Sequence, residues 1–226
     1  LNSPEEMVRD ALEAVASGFT ALKLKVGNDA LLDLQRVQAI RAAVGRDIRI
    51  RLDANQGWSP KEAVRIIGRF EADGLEIEFI EQPVKAHDFE GLKYVTDRVG
   101  TDIMADESAF GPLEVFQLLS MRACDLINIK LMKAGGLHNA VKIAHFAETM
   151  DVQCLMGCML ESKVGITAAA SLAAGKKIIT RTDLDAAVLL ADDPVVGGVS
   201  FIGNRLHVSQ APGLGITGIT GWQQVQ

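Results

Sequence analysis

The sequence predicts an α/β protein built on a parallel sheet, and within that class a TIM-like β/α barrel. Three observations lead there. Strand-like and helix-like segments alternate strictly up to about residue 192, giving seven strands and seven or eight helices, the pattern of parallel strands joined by right-handed crossovers. Seven or more such units favour a closed barrel over an open sheet. A doubly wound sheet is the alternative, but no GxGxxG follows an early strand.

The elements follow in order. Ser3-Pro4-Glu5-Glu6 combines an N-cap, a proline at the first helical position and a capping box. Its helix runs to about Ser17 and stops at Gly18. Only Leu1 is left as the tail of a strand ahead of it. A strand follows at about 20–26 and a helix at about 30–44, closed by Gly45. The segment IRIRLDAN is the next strand, with Asp53 near its end. Ser59-Pro60-Lys61-Glu62 repeats the cap signature, and its helix ends near Gly74. Then come strand IEFIEQP, helix 88–99, strand DIMADES, helix 111–122, strand LINIKLM, helix 137–150, strand VQCLMG, helix 162–174 and strand IITRTDLD. Beyond about 192 the alternation ends in Gly-rich loops and short strands. The expected organisation is a catalytic barrel over 1–192 and a C-terminal segment over 193–226.

Composition narrows the function. The chain has 226 residues, 48% of them hydrophobic, with 21 Gly and 6 Pro, which fits a well-packed globular protein. No apolar run approaches the roughly 20 residues of a membrane span. A net charge of −6 argues against nucleic acid as the main partner. Cys124, Cys154 and Cys158 are odd in number and lack CxxC spacing, which suggests reduced thiols and a cytoplasmic protein.

The chemistry gathers at the strand ends. In FTALKLKVG, Lys23 and Lys25 share one face of a strand, where like charges repel and burial is costly. Lys25, Asp53, Glu81, Asp106 and Lys130 each close a successive strand, at spacings of 28, 28, 25 and 24 residues. In a β/α barrel such ends ring the mouth that carries the active site. Three converging carboxylates repel unless a cation lies between them, and hard oxygen ligands select Mg²⁺ over Zn²⁺. A dication and a neighbouring ammonium both disfavour protonation of a lysine, which makes Lys25 a usable general base. Lys130, four strands away, is placed to work on the other face of a carbon. The chemistry implied is proton abstraction α to a carboxylate, through an enediolate stabilised by the cation, ending in epimerisation.

KLK at 23–25, RLDANQGW at 51–58, EQP at 81–83, ADES at 105–108 and NIKLMKAGG at 128–136 together resemble the barrel domain of the enolase superfamily, muconate-lactonising subgroup. This superfamily uses a Lys or His base with Mg²⁺. The resemblance implies a (β/α)7β barrel, one Mg²⁺ on Asp53, Glu81 and Asp106, acid/base catalysis by Lys25 and Lys130, and Lys23 as an auxiliary. RTDLDA at 181–186 is similar to the Asp-x-Asp element of dipeptide epimerases, which act on Ala-Glu and related dipeptides. It implies that Asp183 and Asp185, two same-face carboxylates at the end of the last barrel strand, hold the substrate ammonium. GCMLESKVGITAAA at 157–170 also resembles that subgroup, implying substrate contacts at Cys158, Met159 and Leu160. The family's N-terminal α+β capping domain and first barrel strand have no counterpart here, and the C-terminal segment is expected to pack on that cap.

Other readings stand beside this one. An N-acylamino acid racemase or o-succinylbenzoate synthase uses the same lysines and metal. An inactive barrel fragment or a binding module uses neither, and a Schiff-base aldolase barrel is more remote. Asp106 has Glu107 beside it, and the choice of Asp106 rests on strand parity together with the family resemblance. His87, His138, His145 and His207 match no metal or triad spacing. The expected partner is a small dipeptide, with no nucleic acid and no membrane, and homo-oligomerisation stays open.

Overall fold

The computed structural model describes residues 2–221. Leu1 and residues 222–226 lie outside the described residues, so neither the strand tail read at Leu1 nor the end of the C-terminal segment is addressed. The chain divides into two compact units. One takes the residues up to Phe110 together with Glu114–Ile127, and the other takes Gly111–Leu113 and the residues from Asn128 onward.

The first unit opens with α1 (Pro4–Ala16) and continues through β1 (Ala21–Lys25), α2 (Ala30–Val44), β2 (Arg49–Asp53), α3 (Pro60–Ala72), β3 (Ile77–Glu81), α4 (Phe89–Thr96) and β4 (Asp102–Ala105). Both capping boxes form as the sequence predicts. Ser3 Oγ accepts from Glu6 N at 3.3 Å while Glu6 Oε2 accepts from Ser3 N at 3.1 Å. Ser59 and Glu62 repeat the exchange at 3.4 and 2.9 Å. Asp29 caps α2 by accepting from the backbone of Leu31 and Leu32. Ile50, Leu52, Phe79, Ile80, Ile103 and Met104 on the strands are fully buried, with Val37, Ile40, Ile67 and Leu92 from the helices. Each such side chain contributes about 1.5–3 kcal/mol on leaving water.

Register sets the heights of the strand ends. Parallel pairing aligns Lys25 with Asp53, and Asp53 with Glu81. Glu81 aligns with Met104, so Asp106 stands two residues further along, on the parity of Met104. In β1 the odd positions Ala21, Lys23 and Lys25 are more exposed than Leu22 and Leu24, which are buried. The two lysines therefore share one face.

α5 (Pro112–Met121) and β5 (Leu126–Lys130) have residues in both units. The second unit continues with a short α6 (Leu131–Ala134), α7 (Leu137–Thr149), β6 (Gln153–Gly157), α8 (Lys163–Gly175) and β7 (Ile179–Asp183). A 3-10 turn follows at Ala186–Leu189, then β8 (Val195–Gly197), β9 (Ser200–Ile202), β10 (Arg205–His207) and β11 (Ile216–Ile219). The last four strands form two antiparallel pairs, β9 with β10 and β8 with β11. β6 and β7 are parallel, with Gly157 aligned to Asp183.

The seven long strands follow the order β1-β2-β3-β4-β5-β6-β7. A doubly wound sheet reverses its order at a switch point, and this one does not. LINIKLM, expected to be strand throughout, departs from that: the strand stops at Lys130 and Leu131 opens α6. Gly135 ends that helix in a left-handed conformation, φ 77°.

Candidate active site

In the first unit four predicted residues meet directly. Lys25 Nζ lies 2.6 Å from Asp53 Oδ2, and Lys23 Nζ lies 3.2 Å from the same oxygen and 2.8 Å from Glu81 Oε2. Asp53, Glu81 and Asp106 are 1%, 0% and 2% exposed, so these are buried carboxylates that need countercharge. Lys25 is more than half exposed at its side chain. Its ammonium thus reaches from solvent down to a carboxylate.

The electrostatics of Glu81 report the crowding. Burial pushes its carboxyl up to about 7. Lys23 opposes that shift, while the charges of Asp53 and Asp106 add to it. The influence of Asp106 ties it to the same cluster. Glu107 next to it is less buried and accepts from Asn55 Nδ2 at 3.3 Å. Parity and burial agree on Asp106 as the inward carboxylate.

The loops that carry these residues interlock. A Cβ on Gly57 would fall 2.4 Å from Gly27 O, and one on Gly27 would fall 2.4 Å from Ala54 O. The turns after β1 and β2 therefore touch backbone to backbone, which only glycine allows. Gln82, fully buried and at φ 39°, joins three loops. Its Oε1 accepts from the backbone of Asp106 and Ser108. Its Nε2 donates to Val84 O and Ser108 Oγ, and its own carbonyl accepts from Gln56 N. Gln82 thereby fixes where Asp106 stands. The motif EQP at 81–83 does not by itself reveal this task of Gln82. A buried amide between two acidic strand ends was the available signal.

Three buried oxygen donors without histidine or thiolate are a set suited to a hard divalent cation. Even so, no three acidic, His or Cys side chains among the described residues close into a metal-holding group. The donor chemistry of Asp53, Glu81 and Asp106 fits Mg²⁺, and Lys23 and Lys25 place positive charge beside two of the three carboxylates.

The second unit holds the remaining predicted residues. Lys130 ends β5 and occupies the N-cap position of α6. Asn128, two residues before it, packs so closely that a Cβ on Gly157 would fall 2.5 Å from its Oδ1. Cys158, just past β6, lies 3.4 Å by its Sγ from the Asp183 carbonyl oxygen and 3.9 Å from Asp185 Oδ1. Burial pushes its thiol up to about 11, and the charges of Asp185, Asp183 and Glu161 add to the shift. Met159 and Leu160 are exposed, at 45% and 70%, on a loop that Glu161 holds by accepting from Met159 N.

One expectation needs correcting. Asp183 and Asp185 are not two same-face residues of one strand. β7 ends at Asp183, and Asp185 has turned into αR geometry ahead of the 3-10 turn, with no side-chain capping bond. Cys158, not strand alternation, is what links them.

Residues 6–219 match the family described as Enolase C-terminal domain-like. The chain is 54% identical to the L-Ala-D/L-Glu epimerase of Clostridium acetobutylicum, over 97% of its own length and 61% of that protein's. The solved structure of a substrate-liganded complex of the Bacillus subtilis L-Ala-D/L-Glu epimerase superimposes with a TM-score of 0.94 at 52% identity, over 97% of this chain and 61% of that one. A dipeptide epimerase from Enterococcus faecalis, solved with Mg and the dipeptide L-Leu-L-Tyr, gives 0.92 at 51% identity, over 96% and 62%. The chain thus spans about three fifths of the length of these relatives. With the family matched across nearly all of its residues, the chain belongs to the Enolase C-terminal domain-like family.

Proposed function

We propose that this chain is the barrel part of a Mg²⁺-dependent dipeptide epimerase, acting on an Ala-Glu type dipeptide at the α-carbon of its C-terminal residue. The observation that carries the reading is the pairing of Lys23 and Lys25 with the buried carboxylates Asp53 and Glu81, a base beside a hard-cation donor set. Asp53, Glu81 and Asp106 would hold the Mg²⁺. That ion supplies positive charge for the carboxylate of the substrate as its α-carbon loses a proton.

The rest falls to the side chains. Lys25 takes or returns the α-proton on one face, and Lys130 does so on the other. Lys23 is the auxiliary, paired with Asp53 and Glu81. Asp183 and Asp185 receive the free α-ammonium, two carboxylates suited to one cation. Cys158, Met159 and Leu160 line the same loop and contact the dipeptide. The catalytic barrel would cover 1–192, with the C-terminal segment 193–226 packing on the family's capping domain. A role in cell-wall peptide turnover in the cytoplasm fits an Ala-Glu substrate and three cysteines outside any disulfide. No helix among the described residues is long and apolar enough to cross a membrane.

Incubation in D₂O with Mg²⁺ tests the reading, with proton NMR following the α-protons of L-Ala-L-Glu, L-Ala-L-Phe and N-succinyl-phenylalanine. Exchange with inversion in L-Ala-L-Glu is expected. Exchange confined to L-Ala-L-Phe moves the side-chain preference to apolar residues. Exchange confined to the succinylated compound replaces the epimerase with an N-acylamino acid racemase. No exchange on any of the three supports a non-catalytic barrel.

A further inference from the structure

Lys25 is more exposed at its side chain than Lys23, 55% against 20%, and a lysine stem in water samples many rotamers. Fixing it costs side-chain entropy. Two acceptors hold its ammonium: Asp53 Oδ2 at 2.6 Å and Asn55 Oδ1 at 2.7 Å. Asp53 is also a proposed cation ligand, so its oxygen has a second claimant. Asn55 has none.

Asn55 is itself held on three sides. Its backbone N–H donates to Asp53 Oδ1 at 3.0 Å. Its Nδ2 donates to Glu107 Oε1 at 3.3 Å. Its φ of 42° is left-handed, a conformation asparagine tolerates better than most residues. The direction of the amide follows from chemistry. An ammonium only donates and a carboxylate only accepts, so Oδ1 faces Lys25 and the NH₂ faces Glu107. An amide acceptor orients the ammonium without adding a negative charge beside it.

We propose that Asn55, braced by Glu107, is a positioning residue that aims the Lys25 ammonium at the substrate α-carbon. The proposal rests on the two-lysine reading above. It separates from a purely structural role, because an asparagine needed only for its left-handed backbone is replaced without loss by glycine. It also separates from general damage to the site, because Lys25 serves only one of the two epimers.

The test uses the Mg²⁺-loaded full chain and measures α-proton exchange in D₂O, starting separately from L-Ala-L-Glu and L-Ala-D-Glu. Lys25→Ala identifies the epimer whose proton Lys25 removes. Asn55→Gly is expected to slow exchange of that same epimer by about tenfold or more, since small misplacements of a catalytic group cost up to about 10²-fold. The loss should fall on kcat, with KM little changed. Exchange of the other epimer should stay within about twofold, and Mg²⁺ affinity by calorimetry should be unchanged. Glu107→Gln, which frees the amide to turn over, should give a smaller loss on the same epimer. If Lys25→Ala is selective and Asn55→Gly is silent, or slows both epimers equally, the positioning role is refuted and the two-lysine reading stands. If Lys25→Ala shows no selectivity for one epimer, that reading fails and the role of Asn55 falls with it.

Discussion

Lys130 is the residue at which the two-base scheme is most exposed to refutation. Lys130→Ala should abolish epimerisation, a loss of about 10²–10⁴-fold for a removed general acid or base, yet leave α-proton exchange from the stereoisomer that Lys25 serves. Normal epimerisation in that variant would remove the scheme. A second residue gives a purely physical test. Burial pushes the Cys154 thiol from an ordinary value of 9.0 up to about 12. Between those values the folded chain keeps a proton that the unfolded chain has lost, so stability falls as pH rises, by up to about 1.4 kcal/mol per pH unit from this one group. Below pH 9 the effect vanishes. Urea unfolding at pH 8 and pH 10 should show a steeper loss in the parent protein than in Cys154→Ala, and parallel losses would exclude Cys154 as the cause. At this scale the sequence was readable where parity decides, as at Lys23 and Lys25, which share one face of β1. It was opaque at Asn55 and Gln82, whose tasks depend on left-handed loop backbone and on which end of an amide faces a charge. It was wrong about the parity of Asp185, because the strand ends two residues earlier.

The elements show a similar division. Ser-Pro-x-Glu is a local code, since both partners of the capping box lie within one turn of helix, so α1 and α3 were legible from four residues each. The four-residue α6 was not, because so short a helix has no periodicity to detect. The loops after β1 and β2 carry information that no local pattern supplies: they must touch at Gly27 and Gly57. Gly57→Ala places a Cβ 2.4 to 2.8 Å from three backbone atoms of Gly27, which cannot swing aside. The loops must part, carrying Lys25 and Asp53 with them. The expected cost is about 1–3 kcal/mol, as for overpacking in a core. Calorimetry should register it as a lower Tm together with weakened Mg²⁺ binding. Gly45→Ala is the control: its φ of 76° brings strain, but nothing lies within 4 Å of the added Cβ. Its effect should be confined to Tm. Equal losses of Mg²⁺ affinity in both variants would show that the loop contact does not place the site.

Across the whole molecule the legible signal was periodicity. Five ionisable residues at intervals of 24 to 28 amount to one per βα unit, and a repeat that long needs no knowledge of the packing to be seen. The division of labour between the two units was not legible, since it arises from contacts far apart in sequence. The proposed cation ligands Asp53, Glu81 and Asp106 belong to the first unit, whereas Cys158, Asp183 and Asp185 belong to the second. The two ligands should therefore leave separate footprints in amide hydrogen exchange. Mg²⁺ alone should slow exchange in the turns after β2, β3 and β4 and leave the segments 157–160 and 183–186 unchanged. Adding L-Ala-L-Glu should then protect those two segments. Any ligand that binds only the folded state stabilises it by RT ln(1 + [L]/Kd), about 2.7 kcal/mol at a hundredfold excess over Kd, so each step should also raise Tm. Asp53→Asn should erase the Mg²⁺ footprint, because an amide cannot match a carboxylate as a hard anionic ligand. Protection by Mg²⁺ that survives Asp53→Asn, or that centres on 183–186, would place the cation on the second unit and overturn the assignment of the three strand-end carboxylates.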